Sequence, residues 1–288
     1  MQSWLARRFT FLAWLAFAAF IVGQLGALHW FAELFSHFVP HYAAVFALTA
    51  FLLRGRERYL CATLALALAA WTLLPFRTDP PSDDATRLVW YNVHLDNPDA
   101  AGESARLVAS GADIVALAEI NLRDPGWQAL RQHYPHGCAH ADDNPFALTV
   151  FARTPLVACE VIFLADYPAI RAALPDGRVL YAAHPPPPIN ADLARARIAY
   201  LQALAARIAA EEHALLLGDL NSSPYSPHYR ALLREGGLRA SIRNFTPTWL
   251  PLGLNLDHAL LHNGHAHTIA LPWHSSDHRP LQIDWKKP

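Results

Sequence analysis

Residues 213–222 read His-Ala-Leu-Leu-Leu-Gly-Asp-Leu-Asn-Ser. An unbroken apolar run that ends in Gly-Asp-x-Asn predicts a buried strand opening into a turn, with Asp219 and Asn221 displayed at its end. The same device recurs along the chain. Trp90-Tyr91 precedes Asn92, Val115-Ala116-Leu117-Ala118 precedes Glu119, and Leu180-Tyr181-Ala182-Ala183 precedes His184. Asp257 opens Asp-His-Ala-Leu-Leu, and Asp277 with His278 precedes Arg-Pro-Leu. Polar residues at the ends of apolar strands are held by a rigid scaffold, which is where catalytic groups are commonly displayed.

Around these points strands and helices alternate. Arg87 to Val93 and Asp113 to Glu119 read as strands with a helix near Glu103 to Ser110 between them, a β-α-β start. Trp127 to His133 reads as helix, and Ala147 to Ala152, Val157 to Leu164 and Val179 to His184 as strands. Asn190 offers a helix cap, after which Leu193, Ile198, Leu201, Leu204 and Ile208 make one apolar face. Asp257 to Leu261 and Leu281 to Trp285 are closing strands. Several successive strands lack an intervening helix, so the class is α/β (α+β), with mixed sheets covered by helices. Pro185 to Pro188 must be extended.

Composition divides the chain. Of its 288 residues 53% are hydrophobic and 16% charged, against about 25% charged in an ordinary soluble domain. Residues 1–82 carry six Arg and three acids; residues 83–288 carry 17 basic and 21 acidic residues, a net charge of −4. The second piece is long enough for one sizeable domain. It lacks the basic excess that usually marks a nucleic-acid binder.

The first piece reads as a membrane anchor over residues 1–78, with three spans at about 9–28, 38–53 and 59–76, followed by a linker at 79–86 and a domain at 87–288. Arg7 and Arg8 precede the first span and Arg54, Arg56 and Arg58 follow the second, so the positive-inside rule sets both on the cytoplasmic face and the domain on the far side. In a bacterium that is the periplasm, with the anchor in the inner membrane. A cleaved signal is the alternative, and Arg7-Arg8-Phe9 faintly resembles a twin-arginine signal. The aromatic connection from His29 to His41 suits a membrane interface. Cys138 and Cys159 are able to pair in an oxidising space.

Carboxylates and amide oxygens are hard ligands suited to Mg²⁺ or Mn²⁺, and no tetrahedral Cys/His zinc spacing competes with them. Taken in order, Tyr91-Asn92-Val93, Ala118-Glu119, Ala183-His184-Pro185, Gly218-Asp219-Leu220-Asn221-Ser222, Leu256-Asp257-His258 and Ser276-Asp277-His278-Arg279-Pro280 resemble the endonuclease/exonuclease/phosphatase superfamily, with its DNase-I-like fold. The resemblance covers nearly all of residues 87–285. His184 with its four prolines, the Arg-containing helix after them and Pro247-Thr248-Trp249 look like the membrane-anchored branch.

That resemblance implies a four-layered α/β sandwich of two mixed sheets flanked by helices, and metal-dependent hydrolysis of a phosphoester. It implies Glu119 as main metal ligand, Asn92 beside it, and Asp277 in the metal site or its hydration shell. It implies that Asp219 and Asn221 handle the attacking water and the phosphoryl oxygens. His278, oriented by Asp257, would be the acid/base group and His184 a donor to a non-bridging oxygen. Some positions depart from the family pattern. Asn144-Pro145-Phe146-Ala147 stands where nucleases of the family carry an acid, which leaves His184 without an identified carboxylate partner, and Ser275 replaces a usual Gly. His258 reads as structural, facing away from Asp257's side. Arg153 reads as a packing and charge-pairing residue, and His262, His265, His267 and His274 as a solvated polar turn. The expected partners are the bilayer and a phosphoester, either a phospholipid head group or a small phosphorylated metabolite. The alternatives are a nuclease of the same superfamily, with nucleic acid as a less favoured partner, and an inactive membrane binding module.

Overall fold

The charge-poor beginning of the chain is helical. The computed structural model describes residues 2–74, 79, 80 and 84–286. Helices α1 (Gln2–Gln24), α2 (Trp30–Ser36), α3 (Val39–Leu52) and α4 (Arg56–Leu73) form one compact unit, which also takes in residues 223–230 and 243–245. Val39, Phe46, Cys61, Leu68 and Tyr225 lie in its core, while Phe11, Trp14, Leu48, Phe51 and Leu66 are exposed. The unit is thus apolar in its interior and over much of its exposed surface.

α1 alone is long and apolar enough to cross a bilayer; α2 and α3 meet that measure only together, across a 53° bend. α3 by itself rises about 21 Å, against a hydrocarbon core of about 30 Å. α4 opens with Arg56, Glu57 and Arg58, which shortens its apolar run. The expected spans 9–28 and 38–53 thus correspond to helices 2–24 and 39–52. The last residues of the third span, 75 and 76, lie outside the described residues, as do Arg77 and linker residues 81–83. The connection from His29 to His41 is largely helical, with Glu33, Ser36 and His37 buried.

The second unit is built from two sheets. The first comprises β1 (Ala85–Asn92), β2 (Ile114–Ala118), β3 (His136–His140), β4 (Leu148–Ala152), β11 (Ala266–Ala270) and β12 (Leu281–Lys286), in the order β11-β12-β1-β2-β4-β3. The second comprises β5 (Ala158–Leu164), β6 (Tyr167–Ala173), β7 (Val179–Ala183), β8 (Ala214–Asp219), β9 (Arg239–Ala240) and β10 (Asp257–His262), in the order β5-β6-β7-β8-β10-β9. Each sheet is antiparallel except for one parallel pair: β1 with β2 and β7 with β8. Helix α5 (Ala100–Ala109) connects the first pair and α7 (Ala191–Ile208) the second, as parallel neighbours require. α6 (Gln128–His133) and α8 (Pro227–Glu235) complete the helices among the described residues. The expected class, two mixed sheets flanked by helices, is what the chain forms.

Central strands are buried on both faces, which is why they read as continuous apolar runs. Along β1, Leu88 and Trp90 enter the core between the sheets, whereas Val89 and Tyr91 face α5 and α6 with Leu107 and Leu130. Ile114, Ala116 and Ala118 of β2, Leu215 and Leu217 of β8, and Ala259 and Leu261 of β10 also point inward. This two-residue alternation decides which polar strand-end residues reach the interior. β6 was not legible because Tyr-Pro-Ala-Ile-Arg-Ala-Ala is poor in strand-forming residues, and Pro and Ala disfavour the pattern.

On α7, Asn190 caps the helix by accepting from Asp192 N and Leu193 N. Its buried stripe is Ala194, Arg197, Leu201, Leu204 and Ile208, so Leu193 and Ile198 give way to a fully buried arginine. The late histidines are not a merely solvated turn. His265 Nδ1 lies 3.0 Å from Asp79 Oδ1, His267 Nδ1 donates to the Asp79 carbonyl at 2.9 Å, and Arg239 pairs with Asp79 at 2.6 Å. Burial pushes the Asp79 carboxyl up, but donors from Arg239, His265 and Ala266 outweigh it and hold it down at about 2.

Cys138 on β3 and Cys159 on β5 form a disulfide, with Cα atoms 5.7 Å apart, and so link an edge strand of each sheet. The closed loop spans a separation of 21 residues, for which chain entropy predicts about 3 kcal/mol of stabilisation. Reduction is expected to lower the thermal midpoint by roughly 5–10 °C in the parent protein and to leave Cys138→Ser/Cys159→Ser unmoved. Equal melting with and without reductant in the parent would remove the bridge from the stability account.

Candidate active site

Inward parity carries Asn92, Asp219 and Asp257 past the last apolar layer of β1, β8 and β10, to one end of the core between the sheets. Asn92 and Asp257 are fully buried and Asp219 nearly so. His184 follows Ala182 in the same parity on β7. Glu119 does not: counted along β2 it should face α5. Its backbone adopts φ +56°, and the turn brings its carboxylate to the others. Such a conformation is costly for a residue with a Cβ, so the surrounding structure must hold it. Asn221 carries the same feature at φ +48°.

The side chains meet closely. Asn92 Nδ2 donates to Glu119 Oε1 at 2.8 Å and to Asp219 Oδ2 at 3.1 Å, and its own oxygen accepts from His94 N. So oriented, Asn92 bridges the two carboxylates with its NH₂. His278 Nδ1 pairs with Asp257 Oδ2 at 2.7 Å, and its Nε2 lies 3.6 Å from Asp219 Oδ2. Trp90 Nε1 donates to the other Asp257 oxygen at 2.8 Å. Burial would push the His278 imidazole down, but the charges of Asp257 and Asp219 outweigh it and hold the ring protonated well above the usual range.

His184, expected to lack a carboxylate partner, faces two. Its Nδ1 donates to the Pro145 carbonyl at 3.0 Å, and its Nε2 lies 3.7 Å from both Glu119 and Asp219. The stretch that lacks the family's acid therefore supplies a backbone oxygen instead, and the Phe146 ring lies 5.9 Å from the imidazole. Asn221 N donates to Asp219 Oδ1 at 2.9 Å, and Asn221 Nδ2 donates to the Pro185 carbonyl. Asp277 Oδ2 accepts from Trp249 Nε1 at 2.9 Å, and its charge adds to those of Asp257 and Asp219 on the His278 ring.

Sequence reasoning missed the residues that set these groups. Thr248 Oγ1 accepts from Leu256 N and Asp257 N, and Ser276 Oγ donates to the Asn92 carbonyl while accepting from His278 N. Arg197 donates to the Asn221 carbonyl at 2.6 Å. Gly218 is required by the site: a Cβ there would collide with the Ala183 carbonyl, so only glycine lets β8 run this close to β7. Ser275, in place of the usual Gly, donates through N and Oγ to Glu103, which also accepts from Tyr91. His258 faces the other way, as parity demands, and donates from Nε2 to the Ser222 carbonyl at 2.7 Å; burial lowers its pKa to about 4. Arg153 pairs with Asp113.

The donor set fits a hard cation. Asp219, Asp257 and His278 bring ligand atoms within 4.8 Å of one another, but both Asp257 oxygens are already committed, to Trp90 and to His278. Glu119 and Asp219, both accepting from Asn92, add carboxylate oxygens beside that group. Like charges this close, in a buried setting, call for a positive charge between them.

The Endonuclease/Exonuclease/phosphatase family model matches residues 89–278. The chain belongs to that family. The name describes hydrolysis of phosphoester bonds, and residues Asn92 to His278 all fall within the match. Among solved structures, sphingomyelinase C from Streptomyces griseocarneus is similar over 70% of this chain and 99% of its own, at 17% identity and a TM-score of 0.54. The catalytic domain of human Nocturnin is similar over 72% and 96%, at 17% identity and 0.58. A protein of the same family from Beutenbergia cavernae is similar over 70% and 72%, at 18% identity and 0.55. Identities this low establish the fold alone. No curated protein matches the sequence.

Trp90→Phe would leave a buried Asp257 oxygen without its donor. It is expected to cost about 1–3 kcal/mol in unfolding free energy by denaturant titration. A cost near zero would mean that the indole does not hold Asp257.

Proposed function

We propose that the chain is a membrane-tethered, divalent-metal-dependent phosphodiesterase or phosphatase, acting outside the cytoplasm on a phospholipid head group or a small phosphorylated metabolite. The observation that carries the reading is the buried convergence of Glu119, Asn92 and Asp219 beside the His278–Asp257 pair and His184. Glu119 is the principal ligand in this reading, with Asn92 alongside it and Asp277, through its second oxygen, in the hydration shell. A bound Mg²⁺ or Mn²⁺ supplies the charge withdrawal that an already anionic phosphoester needs before water can attack it.

The protein's own groups do the rest. Asp219, held by the Asn221 amide and by Asn92, accepts from the attacking water, and Asn221 lies beside it for the phosphoryl oxygens. His278 is fixed by Asp257 through Nδ1, so it acts through Nε2, where a protonated ring donates as negative charge grows. His184, its Nδ1–H committed to the Pro145 carbonyl, also acts only through Nε2, which donates to a non-bridging oxygen when the ring is protonated. The acidic balance of residues 83–288 favours a substrate with little charge beyond the scissile group over a nucleic-acid polyanion.

The tether is supported by α1 and by the exposed apolar side chains of α1, α3 and α4. Three crossings, with Arg7, Arg8 and Arg54 to Arg58 inside, would set the hydrolytic unit in the periplasm. The Cys138–Cys159 bridge suits that oxidising space.

The full chain in detergent should hydrolyse a bis-aryl phosphate or phospholipid vesicles with Mg²⁺ or Mn²⁺ and lose activity in EDTA. His278→Ala should lower kcat/KM by roughly 10²–10⁴-fold. Turnover that survives both treatments would sink the reading, and a clear preference for plasmid DNA would turn it to a nuclease. A reporter fused after Pro288 that functions only outside the cytoplasm should be active; a signal from a cytoplasmic reporter would overturn the topology.

A further inference from the structure

Beside His184 the two-sheet unit carries a groove of about 560 Å³ that the hydrolytic residues leave unused. Its lining residues all fall between 140 and 196, inside that unit. Phe146 joins the groove to the site: its ring lies 5.9 Å from the His184 imidazole and 4.7 Å from the Tyr167 ring, which it meets edge-on. Phe163 also lines the groove, 58% exposed, with its ring 5.5 Å from that of His140. Three aromatic rings thus border one depression next to the proposed reacting centre.

The fixed charge in the groove has one sign. Asp142, Asp166 and Asp192 line it, and no lysine or arginine does. Asp192 is paired with Arg195, and Asp142 accepts from Asn144 and lies 3.6 Å from His140 Nε2. Among the described residues Asp166 makes no side-chain hydrogen bond or ion pair. Ala165 and Asp166 form the two-residue loop of the β5–β6 hairpin, closed by Leu164 and Tyr167, and both have positive φ, +46° and +69°. Such a turn favours Asn-Gly, so the hairpin holds a carboxylate beside Tyr167 where glycine would be less strained.

Electron-rich ring faces next to carboxylates suit an organic cation, whereas they repel a second phosphate. We propose that this groove is a substrate subsite for an ammonium group, so that the phosphoester is zwitterionic, with an alcohol of the choline type. The inference rests on the hydrolase reading and gives it a substrate class.

Binding tests this without turnover. Phosphocholine and 3,3-dimethylbutyl phosphate differ only in N⁺ for C at the head, and both are titrated by calorimetry into the full chain in dodecyl maltoside with Mg²⁺. Phosphocholine is expected to bind about 10-fold more tightly, the scale of a cation–π contact out of water. Asp166→Asn and Tyr167→Leu should each bring that ratio below about 3 and leave binding of the carbon isostere within about 2-fold. Ala165→Asn/Asp166→Gly should also lose the preference while raising the thermal midpoint, which separates lost selectivity from a damaged fold. Equal or undetectable binding of the two phosphates by the parent would overturn the proposal, as would a preference that none of the variants moves. Tighter binding of thymidine 5′-phosphate than of phosphocholine would assign the groove to a nucleobase and overturn it as well. Hydrolysis is followed separately with the 4-nitrophenyl esters of phosphocholine and its isostere. A parent that selects phosphocholine but hydrolyses neither ester would remove the hydrolase reading and leave the ammonium subsite standing.

Discussion

Carboxylates at the end of an apolar core are the constraint to which the hydrolytic unit answers. Asp219 and Asp257 are buried and the Glu119 side chain is 19% exposed, and polar groups so enclosed need hydrogen-bond partners. The compensation is built in layers. Asn92 spaces Glu119 from Asp219, Trp90 and Thr248 hold Asp257 from two directions, and His278 carries a positive charge between Asp257 and Asp219. One imidazolium against three carboxylates leaves an excess of negative charge, which the proposed divalent ion would offset.

The strands could be read from the sequence because double-sided burial writes itself as unbroken apolar runs, and their polar ends could be read because each run stops at a single Asn, Asp or His. Inward orientation followed from counting by two along β1, β8 and β10. Glu119 escaped that count, since a positive φ is a property of the turn after β2 and leaves no mark on the residue itself. The partner of His184 was illegible for a related reason: the family's acid is replaced by the Pro145 carbonyl, and a backbone oxygen has no residue type to recognise. Ser276 and Thr248 were passed over because a serine or threonine in a loop looks the same whether or not it holds a catalytic neighbour. β3, β6, β9 and β11 were lost to His, Ala and Pro content or to shortness.

The division of labour between strands and loops follows from the same geometry. Strand parity brings Asn92, Asp219, Asp257 and His184 to one end of the core, and loops complete what parity cannot. Pro185 to Pro188 form an extended, stiff run whose first carbonyl accepts from Asn221, so the segment that carries His184 onward also restrains the turn after β8. Ser275 ties the Asp277–His278 loop to Glu103 of α5, where a glycine would have no hydroxyl to offer.

The boundary between the helical unit and the two-sheet unit is not where composition changes. Charge density changes near residue 82, yet residues 223–230 and 243–245 complete the helical unit. A tether needs only a hydrophobic helix, and α1 alone meets that need. A tether does not need a fully buried Glu33 on a seven-residue helix, nor Gly26 to let that helix approach. Those features cost stability unless something is bound to them, and within the same unit Ser226 donates to Glu33 while Ser223 meets His37. Composition therefore divides the chain at one point, whereas contacts assign two later segments to the helical unit, because a segment's unit is decided by what its side chains pack against and not by its place in the sequence.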